Sequence, residues 1–206
     1  MSVKRITVGE IATNCYIYRD DATGRCAIID PGEFDDSLKN AIDKYGRDKF
    51  DYILLTHCHF DHVGGVKQVK ELTGAKIAIF RLDAQGLKDD FVNLSTLFTG
   101  IAERYFTPDI ELCDREKIHV GETIFTVMHT PGHTPGSCCF LTDGIIFSGD
   151  TLFRRSAGRT DFPGGSASDL RRSLQKLAAL EGNYQVYPGH EDFTTLDYER
   201  KYNLFM

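Results

Sequence analysis

Short β-rich runs separated by turn residues fill the first part of the chain. Apolar and β-branched residues over 4–8, 14–18 and 26–30 predict three strands, the last ending at Asp30-Pro31-Gly32. The rhythm then becomes helical. Leu38, Ala41, Ile42 and Tyr45 fall on one helical face and stop at Gly46, so 37–45 reads as an amphipathic helix. Tyr52-Ile53-Leu54-Leu55 has no polar break and predicts a strand buried on both faces. A helix over 66–72, closed by Gly74, and a strand over 76–80 complete a βαβ unit.

Beyond residue 80 the pattern loosens, because Leu87, Phe91, Val92, Leu94, Leu97, Phe98 and Ile101 fit a helix only in pieces. From Ile118 strands return. Those over 123–129, 137–141 and 145–147 are separated by Pro131-Gly132, Thr134-Pro135-Gly136 and Asp143-Gly144. An amphipathic helix over 168–180 with Ser168 as its cap, a short strand over 185–187 and a terminal helix over 196–203 finish the chain. Each half runs strands and then helices. The economical arrangement is an α/β (α+β) four-layer αβ/βα sandwich, two mixed sheets flanked by helices, whose loops converge on one edge.

Composition narrows the function classes. A length of 206 residues suits a single domain over 1–206 that folds without staples. Thirty acidic against 24 basic residues, a net charge of -6, give no reason to expect a nucleic-acid partner. No apolar run reaches membrane-span length and the N-terminus lacks a signal-peptide pattern, so a cytoplasmic protein with no membrane partner is expected. Six cysteines without CxxC spacing read as free thiols, with Cys138-Cys139 packed in a strand.

The chemistry begins where the apolar strand ends. Thr56-His57-Cys58-His59-Phe60-Asp61-His62 holds three imidazoles and a carboxylate. His57 and His59 share one side of an extended chain, and Asp61 and His62 follow where the chain turns away, so one loop can feed two neighbouring metals. Cys58 points oppositely and reads as packing. Three more polar groups follow strands in glycine-containing turns: His133 in TPGHTPG, Asp150 in SGDT and His190 in YPGH. His119 and His129 read as ordinary imidazoles bonded to backbone, with His129 alternatively supporting a ligand. Asp30 reads as a turn cap.

Together these motifs resemble the metallo-β-lactamase superfamily, and most closely its short glyoxalase II-like (hydroxyacylglutathione hydrolase-like) members. The marks are HxHxDH at 57–62, TPGHTPGS at 130–137, SGDTLF at 148–153, GRTDFPGG at 158–165 and YPGH at 187–190. The resemblance implies that His57, His59 and His133 bind one metal, that Asp61, His62 and His190 bind a second, and that Asp150 bridges them. It also makes the DPG turn a support beneath the metal loop. Imidazole and carboxylate donors suit two divalent ions, zinc first, with iron and manganese as alternatives. A bridging hydroxide would then attack an ester, thioester or lactone, with Asp61 orienting it.

The expected partner is a small-molecule, anionic thioester such as S-D-lactoylglutathione, acted on by a monomer or homodimer. Arg159 is the candidate substrate contact, on the resemblance to glutathione thioester hydrolases; the other reading is a loop brace paired with Asp161. The chain stops at Met206, so the C-terminal helical domain of full-length glyoxalase II is not expected, and the segment over 91–106 is a candidate pocket wall. The rival enzyme is a mononuclear iron persulfide dioxygenase, which shares GRTDF and part of the ligand frame. A non-catalytic metal-binding protein is the third reading.

Overall fold

The computed structural model describes residues 2–101 and 106–206. Strands β1 (Ser2–Val8), β2 (Thr13–Arg19) and β3 (Cys26–Ile29) form an antiparallel meander. Helix α1 (Asp36–Tyr45) then crosses to β4 (Phe50–Leu55), parallel to β3. A short helix, α2 (Phe60–Val63), and α3 (Val66–Thr73) lead to β5 (Lys76–Phe80), parallel to β4. After α4 (Ser95–Thr99), β6 (Ile110–Leu112) joins β5 and closes a six-stranded sheet of order β1-β2-β3-β4-β5-β6.

The second sheet begins with β7 (Lys117–Val120), β8 (Thr123–His129), β9 (Cys138–Thr142) and β10 (Ile145–Gly149), paired antiparallel in sequence. A two-stranded ribbon, β11 (Leu152–Phe153) with β12 (Ser156–Ala157), precedes α5 (Ala167–Ala178). Then β13 (Gln185–Pro188) pairs parallel to β10, β14 (Thr194–Thr195) edges it, and α6 (Leu196–Tyr202) follows. The order is β14-β13-β10-β9-β8-β7.

Strand alternation sorts side chains into three apolar seams. Ile53 and Leu55 point outward to Leu38, Ile42, Val66 and Val69 of α1 and α3, whereas Leu54 points inward with Tyr16, Phe125, Phe140 and Phe147 between the sheets. On the far side Cys139 and Ile146 meet Leu170, Leu174 and Leu177 of α5. The expected four-layer sandwich is the observed one. Cys138 and Cys139 are free and face different seams, as successive strand residues must.

Local signals were mostly legible. Asp35 caps α1 by accepting from the Leu38 N–H at 2.8 Å. The cap of α5 is Ser166 rather than the expected Ser168. Ser166 has extended backbone (φ -149°, ψ 110°) that aims its hydroxyl at the Asp169 N–H, 3.3 Å away, whereas Ser168 already lies in the first turn. Among the described residues between β5 and β6, only α4 and one tight turn at Gly86–Lys88 are helical, in line with the broken periodicity. The part of the expected wall at 102–105 lies outside the described residues.

Candidate metal centre

Four exits supply the site, all at one edge of the sandwich. The β4 exit carries His57 and His59, α2 carries Asp61 and His62, and the β8–β9 loop carries His133. Asp150 leaves β10 and His190 leaves β13. The two sheets are stitched here by the Cys138 N–H donating to the Thr56 carbonyl at 2.9 Å. Gly189 is required by close approach, because a Cβ there would lie 2.2 Å from Asp150 Oδ1 and 2.6 Å from His62 Cε1.

All seven residues expected from the sequence converge. Donor atoms of His57, His59 and His133 form one group within metal-ligating reach, Asp61, His62 and His190 form another, and His57, His62 and Asp150 form a third that overlaps both. Asp150 stands between the groups. Its Oδ1 is 3.4 Å from His62 Nε2, and its Oδ2 is 3.5 Å from His133 Nε2 and 3.6 Å from His190 Nε2. His190 Nε2 is also 3.2 Å from Asp61 Oδ2.

This donor set fits divalent metal. Among the described residues, four buried side-chain polar atoms have no hydrogen-bond partner, and three of them, His57 Nε2, His59 Nε2 and Asp150 Oδ1, belong to this cluster. His59 instead turns Nδ1 toward His133 Nε2, at 2.9 Å. Burial and the surrounding imidazoles hold His57 well below the ordinary histidine range, and burial with His133 brings His59 down to about 3. Neutral imidazoles offer the lone pairs that metals take.

The other group is charge-coupled. Burial opposes ionisation of Asp61, but His62 and His190 outweigh it and leave the carboxyl well below its usual range. Burial likewise opposes the charge on Asp150, and His62, His133 and His190 still bring it down to about 2. Burial pulls His62 down, while Asp61, Asp150 and Asp30 more than reverse it; His190 is raised in the same way by Asp61 and Asp150. Carboxylates this closely packed call for cations, and two dications answer that demand.

Several groups that aim the donors were read differently, or not at all, from sequence. Asp30 was expected to cap its own turn. Its Oδ1 accepts from the Thr56 N–H at 2.8 Å, and its Oδ2 accepts from the Thr56 hydroxyl at 2.6 Å and meets His62 Nδ1 at 3.0 Å. With Nδ1 so held, His62 presents Nε2 to the cluster. A positive φ of 50° at Asp30 turns the carboxylate under the loop, the support that the family resemblance implied for the DPG turn.

The Arg159 carbonyl does the same for His133, meeting its Nδ1 at 2.8 Å, and Thr13 donates to Asp61 Oδ2 at 2.9 Å. Nothing near Asp83 in sequence carries chemistry that would single it out. Buried between the two histidine loops, it accepts from the Cys58 N–H (3.0 Å), the Thr134 hydroxyl (2.7 Å) and the Gly136 N–H (2.6 Å). Burial raises its pKa against those hydrogen bonds.

The remaining candidates fall outside the cluster. His129 stacks on Phe80 with its Nε2 2.9 Å from the Pro135 carbonyl oxygen, and His119 is exposed on β7. Cys58 packs among the α1/α3 core residues. Arg159 pairs through two nitrogens with Asp161 at 2.7 Å and lies 3.9 Å over the Phe162 ring, yet it also lines the cleft. That cleft, of about 360 Å³, opens onto His59, Asp61, His133, Asp150 and His190. No helix among the described residues is long and apolar enough to cross a membrane.

Comparison with known proteins agrees with this geometry. A protein of Aquifex aeolicus with no described function is 38% identical over 208 residues, covering 100% of this chain and 97% of that protein. The hydroxyacylglutathione hydrolase GloC of Haemophilus influenzae is 34% identical over 220 residues, with 100% and 98% covered. The crystal structure of the BLEG-1 B3 metallo-β-lactamase matches with TM-score 0.92 and 33% identity, over 99% of both chains. That of TTHA1623 in a di-iron-bound form matches with TM-score 0.86 and 33% identity, over 98% of this chain and 100% of the other. The family signature of the metallo-β-lactamase superfamily runs from residue 8 to residue 190 and so takes in every donor of the cluster, from His57 to His190; the chain belongs to that superfamily.

Proposed function

We propose that the protein is a binuclear metal-dependent hydrolase of thioesters, with esters and lactones as related substrates. The observation that carries this reading is the overlap of the three donor groups around Asp150 at the floor of an open cleft. His57, His59 and His133 would hold one ion, Asp61, His62 and His190 the other, and Asp150 would join them. Two divalent ions supply Lewis-acid polarisation of a carbonyl and a water acidic enough to attack near neutral pH.

The chain's own residues do the rest. Asp30 and the Arg159 carbonyl fix the ring orientations of His62 and His133. Asp61, steadied by Thr13, is placed to orient the attacking water. Net hydrolysis adds water across the carbon–sulfur bond, giving a carboxylic acid and a thiol that takes the remaining proton. Arg159 stands where an anionic leaving half would pass, and its pairing with Asp161 supports the bracing role equally.

The similarity to a protein named hydroxyacylglutathione hydrolase supports thioesters over other acyl compounds. Zinc is the first candidate metal, and the di-iron form of a similar protein keeps iron beside it. Metal analysis of the purified protein, then chelation and reloading with zinc, iron or manganese, tests the reading. Hydrolysis of S-D-lactoylglutathione, a neutral thioester, an aryl ester or a lactone should vanish on chelation and return with two ions per chain. Oxygen uptake with glutathione persulfide, one iron per chain and no hydrolysis would replace it with the dioxygenase reading. Arg159→Ala should raise KM for anionic thioesters far more than for neutral ones; equal effects would leave Arg159 as a loop brace.

A further inference from the structure

Phe98 is 52% exposed, although its ring is already part of an ordered aromatic array. It lies nearly parallel to Phe60, with centroids 5.6 Å apart at 22°, and edge-on to Phe162 at 5.7 Å and 90°. Phe162 in turn stands edge-on to His59, at 6.0 Å. The rings thus form a wall that starts at the donor cluster and runs along the cleft. It is anchored to the metal loop, because the Phe60 N–H donates to the Asn93 carbonyl at 2.8 Å and the Asn93 side chain accepts from the Ser95 N–H at the start of α4.

Two cavities meet at this wall. The metal cleft, of about 360 Å³, and a neighbouring cavity of about 380 Å³ share Ile11, Phe60, Asp61 and Phe98. A groove therefore leads from the donors past the rings. Its charges are uneven: Glu10 and Glu33 line the neighbouring cavity, whereas the metal cleft is lined by Glu191 and by Arg159, which is paired with Asp161 and lies over Phe162 at the donor end of the wall. Glu10 and Glu33 disfavour an anionic group at the Phe60–Phe98 end of the wall, so the part of a substrate that lies on those two rings must be neutral and apolar.

We propose that the Phe60–Phe98 end of the wall is the acyl subsite, which takes a flat, neutral acyl group of the phenylacetyl class, while the anionic thiol half lies away from Glu10 and Glu33, on the Arg159 and Phe162 side of the cleft. This assignment rests on the thioester-hydrolase reading. A small acyl group such as acetyl cannot reach across the wall, and a phenyl ring adds an aromatic contact and covers the exposed face of Phe98.

The test uses S-phenylacetyl- and S-acetyl-N-acetylcysteamine, which share a neutral leaving group, with the metal-loaded protein. The wild type should favour phenylacetyl in kcat/KM, and Phe98→Ala should lower the phenylacetyl-to-acetyl ratio by about 5–20-fold, with Phe98→Leu in between. Calorimetric binding of the matching ketomethylene analogues, in which a CH2 separates carbonyl from sulfur, should show the same discrimination without turnover. Preference for acetyl, or an unchanged ratio in Phe98→Ala with hydrolysis intact, would overturn the acyl subsite and leave the hydrolase reading standing. Discrimination between the analogues without hydrolysis of either thioester would sustain the wall as a binding surface for aromatic groups and end the thioester-hydrolase reading on which its acyl role rests.

Discussion

Asp83 is the most exacting test of how the site is held together, because it touches no donor yet clasps both loops that carry the three-histidine group. Asp83→Ala removes three acceptor contacts of 2.6–3.0 Å. The Thr134 hydroxyl keeps Ser137 Oγ at 2.7 Å, so two buried N–H groups, those of Cys58 and Gly136, are left unsatisfied. At about 1–3 kcal/mol for each such group the gross cost is about 2–6 kcal/mol. Part is returned because the variant no longer buries a carboxylate, whose raised pKa records that penalty. A net loss of about 2–4 kcal/mol is expected, read from urea unfolding of chelated wild type and variant. Asp83→Asn should fall between them, since its amide NH2 must face a donor. Because Cys58 lies between His57 and His59, and Thr134 follows His133, competition with a chelator should show the ion of that group weakened by about 10–100-fold, with the Asp61, His62 and His190 group much less affected. Stability within about 0.5 kcal/mol of wild type together with unchanged metal affinity would refute the clasp.

Other substitutions probe the remaining links. Asp150→Ala should abolish hydrolysis and reduce bound metal below two ions per chain by elemental analysis; undiminished turnover would end the binuclear reading. Gly189→Ala places a methyl 2.2 Å from Asp150 Oδ1 and 2.6 Å from His62 Cε1, so metal content and kcat should fall even where circular dichroism shows the fold retained. Asp20 gives a pH test. The Thr23 hydroxyl, against some burial, and the Glu122 N–H bring its pKa down from 3.8 to about 2, so its stabilising contribution is present above about pH 4 and is lost as pH falls toward 2. The melting-temperature gap between wild type and Asp20→Asn should be wide at pH 5 and close at pH 2; a gap independent of pH would show that its charge is irrelevant.

The sequence carried the donors more plainly than their supports. His57 and His59 follow an apolar strand in one dense cluster, and His133, Asp150 and His190 each follow a strand beside a glycine turn, so all five could be placed from local pattern. The layers were legible because strand alternation and helical spacing are local properties too, as Ile53, Leu54 and Leu55 show by dividing between two seams. Asp83 and Thr13 were invisible for the opposite reason: their roles arise from contacts 25 to 53 residues away. Asp30 was seen but assigned to its own turn, since a carboxylate before Pro-Gly gives no hint that its partners are Thr56 and His62. The cap at Ser166 lies two residues before the expected one because Gly164-Gly165-Ser166 reads as loop from sequence alone.

The two ends of the sandwich are closed by different chemistry. At the end away from the cleft, Asp20 at the β2–β3 turn accepts from Glu122 N–H and the Thr123 hydroxyl of the β7–β8 hairpin, so one carboxylate fastens sheet to sheet with ordinary hydrogen bonds. At the cleft, the three-histidine group joins residues from the β4 exit to one from the β8–β9 loop, and the second group joins α2 to the β13 exit. Each ion would therefore be a cross-link between the two halves, not merely a reagent. Without it the same edge holds crowded carboxylates and imidazoles, with buried atoms that have no partner. Metal binding at such a seam adds its free energy to the docking of the sheets, while the apolar layer between them and the Asp20 clasp do not depend on it. Activity and local order at the cleft should thus be lost together on chelation, ahead of the fold.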